Sequence, residues 1–177
     1  ISAVMVETAR QARAVGAEGM AVRTDVAKRE EVSALADRVF DRYGRTHVLC
    51  NNAGVVVHGG LESAAWQDWQ WVMGVNLWGA IHGLLAFLPR MIAGGEGGHV
   101  VNTASMAGLV GMDWLGVYCA SKFGVVGLTE SLHRELRAHD IGCSVLCPMV
   151  VDTRINENSL RMRPAELRNP AGTDRSQ

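Results

Sequence analysis

The chain has 177 residues, of which 48% are hydrophobic and 20% charged, and a formal net charge of −1. That length suits one domain with a substantial core. The near-neutral charge argues against a nucleic-acid or anionic-membrane surface. The longest apolar stretch, residues 81–91, is interrupted by His82 and Pro89 and is too short to span a bilayer.

In chain order, residues 3–16 carry a helical pattern through Val4, Ala9, Ala12 and Val15, and Gly16 is placed to end it. Met20–Thr24 reads as a short strand. Asp25–Tyr43 reads as a loop followed by a helix, with Val32, Leu35, Ala36 and Val39 on one face and Gly44 at its end. His47–Cys50 is a second strand. Ala64–Ala93 is a long helical segment with breaks expected near Gly74 or Pro89. The glycine-rich run 94–98 is a turn. His99–Thr103 is an apolar, β-branched strand of the kind buried on both sheet faces. Leu115–His139 is a long helix, and Gly142–Cys147 is a strand stopped by Pro148. Residues 154–177 are polar and partly helical at best, either a substrate-loop segment or a frayed end. Residues 1–153 form the rest of the domain.

Strands alternating with helices over short connections predict an α/β fold, a doubly wound parallel sheet with helices on both faces. Ligands in such sheets sit at the carboxyl ends of the strands. Cys50, Cys119, Cys143 and Cys147 form no C-x-x-C pair, and no His/Cys cluster has zinc-site spacing, so no metal site is expected. Reduced cysteines, with no basic-then-apolar leader at Ile1, predict a cytoplasmic protein.

Tyr118-Cys119-Ala120-Ser121-Lys122 places a tyrosine and a lysine four apart, on one face of the predicted helix. An ammonium ~5 Å from a phenol at an effective dielectric of ~20 is worth ~3 kcal/mol. On charge alone, Tyr118 should titrate about two pH units below its usual value near ~10. Ser105, thirteen residues upstream, could hold a substrate oxygen within reach of the phenol. Together these groups suit proton transfer to or from an alkoxide. The predicted strand ends supply Asp25-Val26, Asn52-Ala53-Gly54, Ser105, and the run from Pro148 to Thr153. Asn76 interrupts an apolar helical stretch.

In this order, the motifs resemble the short-chain dehydrogenase/reductase family over about residues 1–160. The resemblance implies a Rossmann-type three-layer α/β/α fold with NAD or NADP as cofactor. It also implies hydride exchange with a small-molecule secondary alcohol or ketone. By the same resemblance, Tyr118 is the general acid/base, Lys122 tunes it and holds the nicotinamide ribose, and Ser105 orients the substrate. Asn76 would hold a relay water through its backbone; otherwise it is an ordinary exposed helix residue. Asp25 and Val26 would meet the adenine, although Asp25 could equally cap the following helix or serve its loop. Asn52, Ala53 and Gly54 would line the cofactor or form a simple tight turn. Pro148, Val151 and Thr153 would approach the nicotinamide. Neither nucleic acid nor membrane is an expected partner. A homodimer or homotetramer formed through the segments 66–93 and 115–139 is the implied assembly.

Two departures from the family pattern stand out. Met149 follows Pro148 where the family usually has glycine. No glycine-rich phosphate-binding turn occurs, because the pattern from Ile1 already reads as the helix before the third strand. The first strand, the glycine loop with its helix, the second strand and the last strand are therefore expected to be missing, with the chain truncated at both ends. The alternative to an active oxidoreductase is a non-catalytic fragment unable to bind cofactor. Met106, Leu115 and Met149 suggest an apolar substrate pocket.

Overall fold

The structure is a computed structural model that describes residues 3–169. Three parallel strands form one sheet in the order β1-β2-β3: β1 is Val48–Asn51, β2 is Gly98–Thr103 and β3 is Ile141–Leu146. The register sets Leu49 beside Val100 and Val100 beside Cys143. Parallel neighbours cannot be joined by tight turns, so a helical crossover must carry the chain back each time. Helices α3 (Trp66–Met73) and α4 (Gly79–Gly94) link β1 to β2, and α5 (Gly116–Glu135) links β2 to β3. Before the sheet come α1 (Ala3–Ala14) and α2 (Arg29–Tyr43), and after it α6 (Ile155–Met162).

The main core lies between one sheet face and α2, α4 and α5. Val32 and Ala36 of α2, Leu84, Phe87 and Met91 of α4, and Leu132 of α5 close over Leu49, Val100, Ile141 and Cys143. Helix α2 starts with Glu30 and Glu31 in its first turn and has Arg42 in its last, matching the helix dipole. It ends where Gly44 takes φ 75°, a left-handed conformation that glycine adopts without a Cβ clash.

Four sequence expectations change. Met20–Thr24 joins no ladder: a strand needs a neighbour for its backbone groups, and none pairs with it among the described residues. Burial of the sheet alternates, so Val48, Cys50, Ser144 and Leu146 are exposed opposite the buried face. The long helical segment bends its hydrogen-bond pattern rather than breaking. Gly74–Trp78 is a single π turn, and Pro89 lies within α4. As one run, Trp66–Gly94 is long and apolar enough to cross a membrane by length and composition, but half of its most apolar window is buried inside the fold, as in a core helix. Finally, a frayed end does not describe residues 155–169. They form α6 and a short turn, Ala165–Leu167, and bring Ser159, Arg163 and Asn169 into the interior. These polar side chains are buried because each finds a partner there. Residues 170–177 lie outside the described residues.

Candidate active site

The site is built where β1 and β2 end and α5 begins. Tyr118 and Lys122 lie one turn apart on α5, as their spacing requires, with Lys122 Nζ 5.6 Å from the centre of the Tyr118 ring. Lys122 is only 3% exposed, and its ammonium donates to the Thr103 carbonyl at 2.8 Å, at the end of β2. Burial disfavours its charged form and lowers its pKa to about 8, against a smaller opposing effect of Cys147.

Tyr118 reverses one expectation. Its pKa is raised, because desolvation outweighs a stabilising hydrogen bond from the Ser105 hydroxyl. The lysine does not overcome that burial: its charge lies over the ring face and is committed to a carbonyl. Ser105 is aimed by its own backbone environment. Its Oγ accepts from Ala107 N at 3.2 Å and approaches the Pro148 carbonyl at 3.5 Å. Pro148 also receives Met106 N at 2.9 Å, so the loops after β2 and β3 are tied together at the site.

Asn76 is buried rather than exposed, at 3%. Its Oδ1 accepts from Val55 N at 2.8 Å, and its Nδ2 donates to Val55 O at 2.9 Å and to Ser121 Oγ at 3.0 Å. The side chain thus satisfies both backbone groups of a buried residue, as a neighbouring strand would. The π turn is what presents it, a common use of such turns. Val55 follows the turn Asn52-Ala53-Gly54. A Cβ on Gly54 would stand 3.6 Å from both Asn76 Oδ1 and Lys122 Nζ. Asn52 is held by Thr103 Oγ1, which donates to its Oδ1 at 3.0 Å. Asn52, Ala53, Gly54, Asn76, Ser105, Tyr118, Lys122 and Pro148 therefore form one connected group.

Four other positions stand apart. Asp25 serves its own loop: Oδ1 accepts from Ala27 N at 3.1 Å, its carbonyl accepts from Lys28 N at 3.0 Å, and Oδ2 lies 3.9 Å from Lys28 Nζ. Val151 and Thr153 are exposed in the stretch before α6. Val26 gives its carbonyl to His82 Nδ1 at 2.9 Å and packs against Gly79, where an added Cβ would meet Val26 Cγ2 at 2.8 Å.

Motif reading misses several supports of the site. Thr103 acts through its carbonyl, which no side-chain pattern reveals. Asn102 is fully buried, accepts from Asn51 Nδ2 at 2.8 Å and donates to Thr129 Oγ1 at 3.0 Å. A lone asparagine in an apolar strand was the available signal.

The family profile described as short chain dehydrogenase matches residues 2–164. The chain belongs to the short-chain dehydrogenase family. A short-chain dehydrogenase/reductase from Burkholderia phymatum, solved in complex with NAD, superposes with a TM-score of 0.91 at 44% identity, over 96% of this chain and 62% of that one. A metagenomic short-chain oxidoreductase in complex with NADP gives a TM-score of 0.77 at 34% identity, over 81% of this chain and 65% of that one. Among curated relatives, the putative oxidoreductase SadH of Mycobacterium tuberculosis is 36% identical over 157 residues, 88% of this chain and 56% of its own length. The architecture is therefore the Rossmann-type, doubly wound α/β/α fold of short-chain dehydrogenases, and the chain spans about three fifths of the length of these three relatives.

Proposed function

We propose that the complete protein is an NAD(P)-dependent oxidoreductase that interconverts a secondary alcohol and a ketone. The observation that carries this reading is the Lys122 ammonium, buried one helical turn from Tyr118 and 5.6 Å from the centre of its ring, with Ser105 held at the end of β2 beside them. Burial keeps the phenol protonated at neutral pH, so Tyr118 suits the role of proton donor to a substrate oxygen. Ser105, aimed by Ala107 N, donates to that same oxygen. The cofactor, when bound, exchanges the hydride with the substrate carbon. The residues present fit its nicotinamide-ribose end. Lys122 spends one of three N–H donors on Thr103, and Gly54 and the exposed Ala53 let backbone approach closely. Asp25 and Val26 would flank the adenine, and Val151 and Thr153 the nicotinamide amide. The saturated side chain of Asn76 leaves its backbone as the group for a relay water. Exposed Trp78 at the end of the π turn, Leu85 on α4 and Phe123 on α5 support a homodimer or homotetramer through these helices.

Tyr118→Phe in the complete polypeptide tests the reading. Turnover should fall at least a thousandfold while NAD(P)H fluorescence titration gives an unchanged Kd. Near-wild-type turnover in that variant sinks the assignment. One observation favours a second reading for the 177 residues alone, as a non-catalytic piece. Among the described residues, no strand–glycine turn–helix unit offers a pyrophosphate site. Tight NAD(P)H binding by this chain refutes it.

A further inference from the structure

The most deeply buried ion pair among the described residues lies outside the catalytic group. Arg163 and Asp68 have side chains 2% and 1% exposed. Asp68 Oδ1 accepts from Arg163, and Oδ2 accepts from Ala65 N at 2.8 Å and Asn169 Nδ2 at 2.9 Å. Arg163 Nε donates to the Leu167 carbonyl at 2.6 Å. A buried pair gives no assurance of extra stability, since well-packed apolar residues often serve as well. What a guanidinium fork adds is direction. Here it fixes how the segment after β3 sits on α3.

That segment is anchored at three more points. Ser159 Oγ accepts from Val56 N at 2.9 Å, next to the residue clamped by Asn76. Leu167 packs in the cluster that contains Val117 and Tyr118. At its start, the Pro148 carbonyl faces Ser105. Between these anchors run Met149, Val150 and Val151, which are 74%, 96% and 56% exposed. Three consecutive exposed apolar residues tethered beside a proton-transfer pair suit contact with an apolar ligand group.

Resting on the dehydrogenase reading, we propose that the Arg163–Asp68 pair is a positioning latch: it holds residues 149–162 beside Ser105 and Tyr118 and thereby sets affinity for an apolar alcohol or ketone. Arg163 and Asp68 act through the segment and do not touch substrate.

The test uses Arg163→Met in the complete polypeptide. Amide exchange within 149–162 should accelerate at least tenfold while Val100–Thr103 is unchanged. KM for a bulky aryl or alkyl ketone should rise at least tenfold, with kcat changed less than threefold and the NAD(P)H Kd raised by a smaller factor, since Val151 and Thr153 of the same segment flank the nicotinamide. Arg163→Lys should restore part of the KM effect. Uniform acceleration of exchange, no acceleration, or an unchanged KM in folded enzyme each overturns the latch. If Arg163→Met does not fold, Asp68→Asn is read in the same way, since it removes the carboxylate that holds Arg163 and keeps an oxygen to accept from Ala65 N. Failure of the dehydrogenase reading would show as a wild-type protein without turnover, and the exchange measurement still decides whether the latch holds the segment.

Discussion

Asn76→Ala is the sharpest test of how this site is held together. The side chain satisfies both Val55 backbone groups, at 2.8 and 2.9 Å, in a region where Val55 itself is 6% exposed. Alanine leaves an N–H and a C=O without partners, at about 1–3 kcal/mol each. Loss of the bond to Ser121 adds little, because that hydroxyl keeps its donation to Tyr118 O at 2.7 Å. The expected loss is about 4 kcal/mol of unfolding free energy, a large part of the stability of an ordinary domain. Urea denaturation of the complete protein, followed by intrinsic fluorescence, should show a lower midpoint with an unchanged slope. Asn76→Asp sharpens the test. Its carboxylate would set an oxygen against the Val55 carbonyl, so its folded-state pKa should rise above the unfolded value. That variant should be most stable in acid and lose stability as pH climbs through the folded pKa. A loss below 1 kcal/mol for alanine, with a flat pH response for aspartate, would refute the clamp.

The pKa of Lys122, about 8 in the fold against an ordinary 10.5, makes stability depend on pH. The cost of burying its charge is fully present below about 8 and is relieved as pH rises towards 10.5, which is worth about 3 kcal/mol. Any stability advantage of Lys122→Met over wild type should therefore shrink by about that amount between pH 7 and 10.5, as measured by paired denaturant titrations; a constant difference contradicts the burial argument. Ser105→Ala removes the bond that favours the phenolate, so the Tyr118 pKa should rise further and the pH optimum for alcohol oxidation should move upward. An optimum that stays put or falls counts against that bond. Gly83→Ala would bring a Cβ within 2.1 Å of Asn51 Oδ1 and displace its bond to Asn102. Overpacking of this kind costs about 1–3 kcal/mol, readable as a lower Tm.

The grouping of the candidate site residues was legible because they lie on regular elements. Four residues on a helix align Tyr118 with Lys122, and strand ends point to Ser105 and the Asn52–Gly54 turn. Its energetics were less legible. Charge arithmetic on Tyr118 and Lys122 predicts an acidic phenol, but that arithmetic contains no burial, and burial dominates both groups. Asn76 stands out as a polar residue in an apolar helix, yet its partner Val55 is set by tertiary packing. Met20–Thr24 has strand-like composition, but strands exist only in pairs. The arginines after Thr153 suggest a solvated tail, whereas Arg163 is buried against a carboxylate 95 residues away in sequence. No local pattern carries that separation.

The π turn at Gly74–Trp78 has a consequence for how this helix tolerates change in length. It holds one residue more than regular winding needs, so the runs before and after it face as they would in an uninterrupted helix one residue shorter. Removing a residue there would restore α winding without turning one run against the other. Trp71 and Val72 on one side, and Leu84 and Phe87 on the other, would still face inward. The core should therefore tolerate a single deletion in this stretch, whereas the site should not, because the surplus residue is the reason an asparagine can point at Val55 from within an apolar helix.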